Sequence, residues 1–80
     1  MDYDKDKVDE VALALLYLTL HDGNRAWKGL DWGVTDRLHE KGLIFDPAGK
    51  AKSVALTEEG LTRCEELFIK HFGMPGRESV

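Results

Sequence analysis

The chain has 80 residues, 42% of them hydrophobic and 32% charged, with a formal net charge of −4. That length makes one domain around a single thin core, burying roughly 60–65% of the surface of the unfolded chain. The composition excludes a collagen-like or low-complexity chain, and the lone cysteine, Cys64, excludes an internal disulfide.

Charge is unevenly placed. Residues 1–23 carry six acids against Lys5 and Lys7, and residues 53–80 carry five acids against Arg63, Lys70 and Arg77. Residues 24–52 hold six cations against four acids, so a mildly basic middle lies between two acidic ends. This gradient falls short of the basic footprint of a nucleic-acid-binding domain. The acidic N-terminus does not read as a secretory signal, which needs positive charge there. The longest apolar run, Val11 to Leu20, is about half a membrane span. A cytoplasmic protein with no membrane partner is the expectation.

The first helix is predicted over Lys5 to His21, with acids gathered at its positive end and strong helix formers behind them. Nine of the ten residues from Val11 to Leu20 are apolar, so this helix is greasy on nearly every side. Two arrangements satisfy that pattern. In one, a second copy of the chain covers Leu13, Leu16 and Leu20, making a homodimer through this helix. In the other, Val8, Val11, Leu15 and Leu18 face the core while Leu13, Leu16 and Leu20 touch local elements.

Asp22-Gly23-Asn24 is turn chemistry, and Arg25 to Gly29 is expected to form only a short helical turn. Asp31 caps a helix over Trp32 to Lys41, and Gly42 supplies its C-terminal left-handed residue. The 100° rotation per residue puts Val34 and Leu38 inward and Trp32, Asp36, His39 and Glu40 outward. Leu43–Asp46 and Lys52–Leu56 read as the two strands of a hairpin joined by the Asp46-Pro47-Ala48-Gly49 turn. Thr57 caps a last helix with Leu61, Cys64, Leu67, Phe68 and Phe72 at helical spacing, ending at Gly73. The predicted core comprises Leu15, Val34, Leu38, Ile44, Val54, Leu56, Leu61, Cys64 and Phe68. The domain covers residues 1–73, and residues 74–80 form a flexible tail. The fold class is mainly α with a small β-hairpin, an α+β arrangement.

Two stretches resemble winged-helix regulators: Arg37-Leu38-His39-Glu40-Lys41-Gly42-Leu43-Ile44, and the pentad Leu56-Thr57-Glu58-Glu59-Gly60. More closely, the string from Leu13 through RAWKGLDW, DRLHEKG, DPAGKAKS and LTEEG resembles a family of short bacterial proteins of unknown function with a winged-helix-like domain. The resemblance covers about residues 3–73. It implies a bacterial origin and a winged-helix-like fold, and no activity.

Function narrows by chemistry. No nucleophile has a base at motif spacing and no glycine-rich phosphate cradle is present, so an enzyme is not expected. His21, His39, His71 and Cys64 have no paired spacing for a structural zinc, and neither a metal nor a cofactor is expected. If DNA were bound, Arg25, Lys28, Arg37, Lys50 and Lys52 would contact phosphates, but Asp36 and Glu40 on the outward helix face oppose a duplex. Trp27 is expected to wedge between the first helix and the hairpin, leaving Trp32 outward with Asp36, His39 and Glu40 as a surface for an unknown protein partner. The leading expectation is a non-enzymatic, self-associating protein-interaction module, ahead of a DNA-binding regulator or nucleoprotein accessory.

Overall fold

The computed structural model describes residues 1–27, 29–47 and 53–74. The fold is mainly helical with a small antiparallel sheet, the α+β class that the sequence predicts. Helix α1 spans Lys5–Leu16, β1 Arg25–Trp27, α2 Trp32–Glu40, β2 Ser53–Ala55 and α3 Glu58–Phe72. Lys28, residues 48–52 and residues 75–80 lie outside the described residues, and with them most of the predicted turn and tail.

Local chemistry sets the helix ends. The Asp4 carboxylate accepts from the Lys7 N–H, and Asp6 adds a negative charge to the first turn of α1. Asp31 accepts from Gly33 N–H and Thr57 from Gly60 N–H, so both predicted caps are present. Gly42 takes φ +76° immediately after α2, a conformation that costs a glycine little.

Helix α1 is shorter than expected. It stops at Leu16 and tightens into a 3₁₀ turn over Tyr17–Thr19, followed by Asp22 and Gly23 at positive φ. The Thr19 hydroxyl explains the stop. It donates to the Leu16 carbonyl (3.1 Å) and accepts from the Trp27 N–H (2.9 Å), tying the helix end to the next segment.

That next segment is a strand, which corrects the predicted helical turn over residues 25–29. Arg25, Ala26 and Trp27 pair antiparallel with Ala55, Val54 and Ser53. Asn24 locks the end of the ladder: its carbonyl accepts from Leu56 N–H, and its side-chain amide donates to the Leu56 carbonyl. The predicted pairing of 43–46 with 52–56 survives on the opposite edge of β2. There Ile44 faces Leu56, Phe45 N–H donates to Ala55 and Thr57 N–H to Leu43. Three chain segments therefore lie side by side, with 53–56 in the middle.

The core gathers Leu13, Ala14, Leu16, Ala26, Val34, Leu38, Ile44, Val54, Leu56, Cys64 and Leu67 between α1, α3, α2 and the inner side of the sheet. Leu61 and Phe68 pack partly against it. Leu15, a predicted core residue, is exposed, because the inward side of α1 is the one that carries Leu13 and Leu16. Gly60 sits so close to the Leu43 carbonyl that a Cβ would overlap it, so α3 starts hard against the segment after α2. Burial pushes the Cys64 thiol above its ordinary pKa, aided by the neighbouring Glu65 carboxylate.

Candidate functional site

Helix α1 carries chemistry on two sides, and the sides are reversed in polarity. Asp9 occupies the inward stripe with Leu13 and Leu16, since residues 9, 13 and 16 share one side of a helix. Its side chain is 1% exposed. A lone carboxylate there would be prohibitively costly, and the cost is met by α2. Arg37 donates through Nε and a terminal nitrogen to the two Asp9 oxygens at 2.7 and 2.8 Å, a bidentate fork. Lys41, one helical turn later, adds 3.2 Å to Asp9 and 3.4 Å to the exposed Asp6. Burial acts to raise the Asp9 pKa, but the bonds and charges of Arg37 and Lys41 outweigh it and hold the carboxyl below its ordinary value. Burial acts to lower the Lys41 pKa, and Asp9 and Asp6 outweigh it, raising the ammonium.

A second bridge joins α1 to α3. His71 Nε2 donates to Glu10 at 2.8 Å, and Lys70 and Lys7 lie 3.6 and 3.7 Å from the same carboxylate. The bond from His71 is the main reason that the Glu10 pKa lies low. Between these two clusters is a cleft of about 220 Å³, floored by leucines and rimmed by Asp6, Glu10, Lys41 and Arg63. That is smaller than the roughly 300 Å³ at which ligand pockets begin. Each charged group on its rim has an ionic partner: Asp6 pairs with Lys41, Glu10 with His71 and Lys70, and Arg63 with Glu66.

The other side of α1 is apolar and open. Val8 and Leu15 are exposed, Leu15 to 43%, and so is Leu18 on the 3₁₀ turn just beyond, to 66%. Tyr17 continues this surface onto α3, its ring 5.1 Å from that of Phe68, which in turn lies 5.3 Å from Phe72. The stripe differs from the one assigned to a second chain by sequence. Leu13 and Leu16 are closed inside this chain's own core and Leu20 is half-buried against it. Leu13 and Leu16 therefore offer no surface to a partner. In the alternative arrangement Val8, Val11, Leu15 and Leu18 face inward; Val8, Leu15 and Leu18 are instead exposed and Val11 is half-buried.

The other candidate residues divide cleanly. Trp32, Asp36, His39 and Glu40 are all exposed, Trp32 to 83%, although the His39 ring also donates to the Ile44 carbonyl. Trp27 does not wedge into the interior: strand alternation puts it on the outer side of the sheet, opposite the buried Ala26. Among the proposed phosphate contacts, Arg37 is committed to Asp9, and Arg25 donates to the hydroxyl and carbonyl of Ser53 at 2.7 and 3.0 Å. Lys28, Lys50 and Lys52 lie outside the described residues. Sequence reasoning missed Asp9, whose spacing to Leu13 and Leu16 was the available signal, and Phe45, whose alternation with buried Ile44 turns it outward.

Among the described residues, no group of three metal-binding side chains converges, and no helix is long and apolar enough to cross a membrane. A family model described as a domain of unknown function, DUF6429, matches residues 4–74. The uncharacterized protein y4hR of Sinorhizobium fredii (strain NBRC 101917 / NGR234) is 61% identical over 72 residues, covering 90% of this chain and 97% of that protein. No solved structure matches.

Proposed function

We propose that this chain, which belongs to the DUF6429 family of domains of unknown function, is a non-enzymatic protein-interaction module that self-associates through α1. The observation that carries this reading is the exposed stripe Val8, Leu15 and Leu18, with half-buried Val11 between them. Val8, Val11 and Leu15 follow the three- and four-residue spacing of a helix-pairing seam, and Leu18 extends it onto the 3₁₀ turn that follows α1. Contiguous apolar surface on a small domain marks an interaction site more often than a solvated one. Laying two such stripes together removes side chains from water at about 1 kcal/mol or more for each one covered.

Trp32, with Asp36, His39 and Glu40 beside it, remains available to recruit a second protein. The order helix, strand, helix, paired segments, helix supports a winged-helix-like reading, with one helix where such folds place two. Duplex DNA as the partner has lost support, because Arg37 neutralises Asp9 rather than a phosphate.

Light scattering on Leu18→Glu, with circular dichroism as the check on folding, tests the proposal. The expected result is a dimer for the unmodified chain at tens of micromolar and a folded monomer for the variant. A variant that stays dimeric would remove α1 from the interface.

A further inference from the structure

The outer side of the sheet holds a second surface, made of different residues from the α1 stripe and independent of it. Pairing of Ile44 with Leu56, and of Arg25 with Ala55, puts Phe45, Ala55 and Arg25 in one cross-strand row on the solvent side. The next row holds Ser53 and Trp27. Phe45 and Trp27 are each 55% exposed, and the small side chains of Ala55 and Ser53, with Arg25 bonded to Ser53, lie between them. Two exposed aromatic rings therefore flank a shallow floor.

Trp27 is also held. A Cβ placed on Gly29 would overlap the six-membered part of its indole, so the ring is backed by the Gly29 main chain and leaves its remaining surface to solvent. Arg25 lies across the same floor, fixed by two bonds to Ser53, with its other terminal nitrogen uncommitted by them. The surface thus offers planar apolar rings and a fixed cation. Those are the groups that recognise bases and phosphates.

We infer that this side of the sheet is a stacking platform for unpaired nucleotides of a single-stranded nucleic acid. Charge favours that occupant: the charged side chain fixed on this floor is the Arg25 cation, although Asp46 follows Phe45. Spacing favours a strand over a free nucleotide. Two strand separations and two residues along the strand set the Cα atoms of Phe45 and Trp27 roughly 12 Å apart. One base cannot reach both rings, whereas successive bases of a flexible strand can. A duplex hides its ring faces in its own stack and gains nothing here.

The test is intrinsic fluorescence in a Trp32→Phe background, which leaves Trp27 as the emitter, titrated with a twelve-residue oligothymidylate. The expected result is saturable quenching with a dissociation constant of about 10–100 µM that weakens with salt. Thymidine monophosphate and a twelve-base-pair duplex should quench at least tenfold more weakly. Phe45→Ala, an exposed position whose loss should leave the circular dichroism unchanged, should weaken oligothymidylate about tenfold. Gly29→Ala, which unseats the indole, should weaken it too. Absence of saturable quenching, equal quenching by the monophosphate, or indifference to Phe45→Ala would overturn the inference. A saturable response to a proline-rich peptide in place of the oligonucleotide would overturn it in favour of a protein ligand.

Discussion

The inward side of α1 holds a carboxylate and the outward side holds leucines, and the contrast between the two is instructive. Asp9 is buried but fully compensated: Arg37 takes both its oxygens and Lys41 supports one of them. Leu15 and Leu18 are exposed, and among the described residues nothing covers them. A helix is amphipathic with respect to what covers it, so the sign of each residue says little until its partners are known. The charged side is complete within one chain. The apolar side is the one that the proposed self-association would cover.

Equivalent truncations on the two sides should separate them most. Leu13→Ala removes a fully buried side chain and should cost about 3 kcal/mol in denaturant unfolding, as cavity-forming leucine truncations do. Leu18→Ala at a concentration low enough for monomer should cost less than about 0.5 kcal/mol. Equal losses would mean that the two sides of α1 have been confused.

Asp9→Asn should cost slightly less than the leucine cavity, about 2–3 kcal/mol, by leaving the Arg37 guanidinium partly buried without its counter-charge. Urea midpoints of the variant and of Arg37→Met together sharpen the point. If the pair is coupled, the double variant should be more stable than the sum of the single losses implies. Strict additivity would make Asp9 and Arg37 energetically separate.

A smaller effect is expected from pH. The Asp9 pKa is lower in the folded chain than the ordinary value near 3.9, so its contribution is fully present above about pH 4. It is lost as pH falls through the folded value, when the carboxyl protonates and the fork to Arg37 breaks. The urea midpoint should therefore hold between pH 7 and about pH 5 and drop below about pH 4. In Asp9→Asn the part of that drop owed to this carboxyl should vanish. A drop of undiminished size would assign it to Glu10 and the surface acids.

The parts of this fold legible in the sequence are those set by neighbours in the chain. Asp31, Gly42 and Thr57 act within one helical turn of themselves, so their roles could be read residue by residue. The strand at Arg25–Trp27 could not, because three residues carry almost no period and their partners lie 26 to 30 positions away. The phase of α1 was hidden for another reason. With leucine or alanine on nearly every side, periodicity has no preferred direction, and the one residue that marks the inner side, Asp9, looks like an ordinary acid at a helix start. Its meaning depends on Arg37 and Lys41, which belong to another helix. The outward placement of Trp32, Asp36, His39 and Glu40 was readable because α2 is amphipathic and its inner residues Val34 and Leu38 fix its rotation.

The measurement that bears most directly on the account is sedimentation equilibrium of the unmodified chain from about 1 µM upward, the range in which seam-paired helices of modest area associate. Self-association through α1 requires a reversible shift from monomer to dimer across that range, abolished by Leu15→Glu and Leu18→Glu and untouched by Trp32→Ala. A folded monomer at every concentration would contradict it, leaving the leucines of α1 exposed without a partner of their own kind.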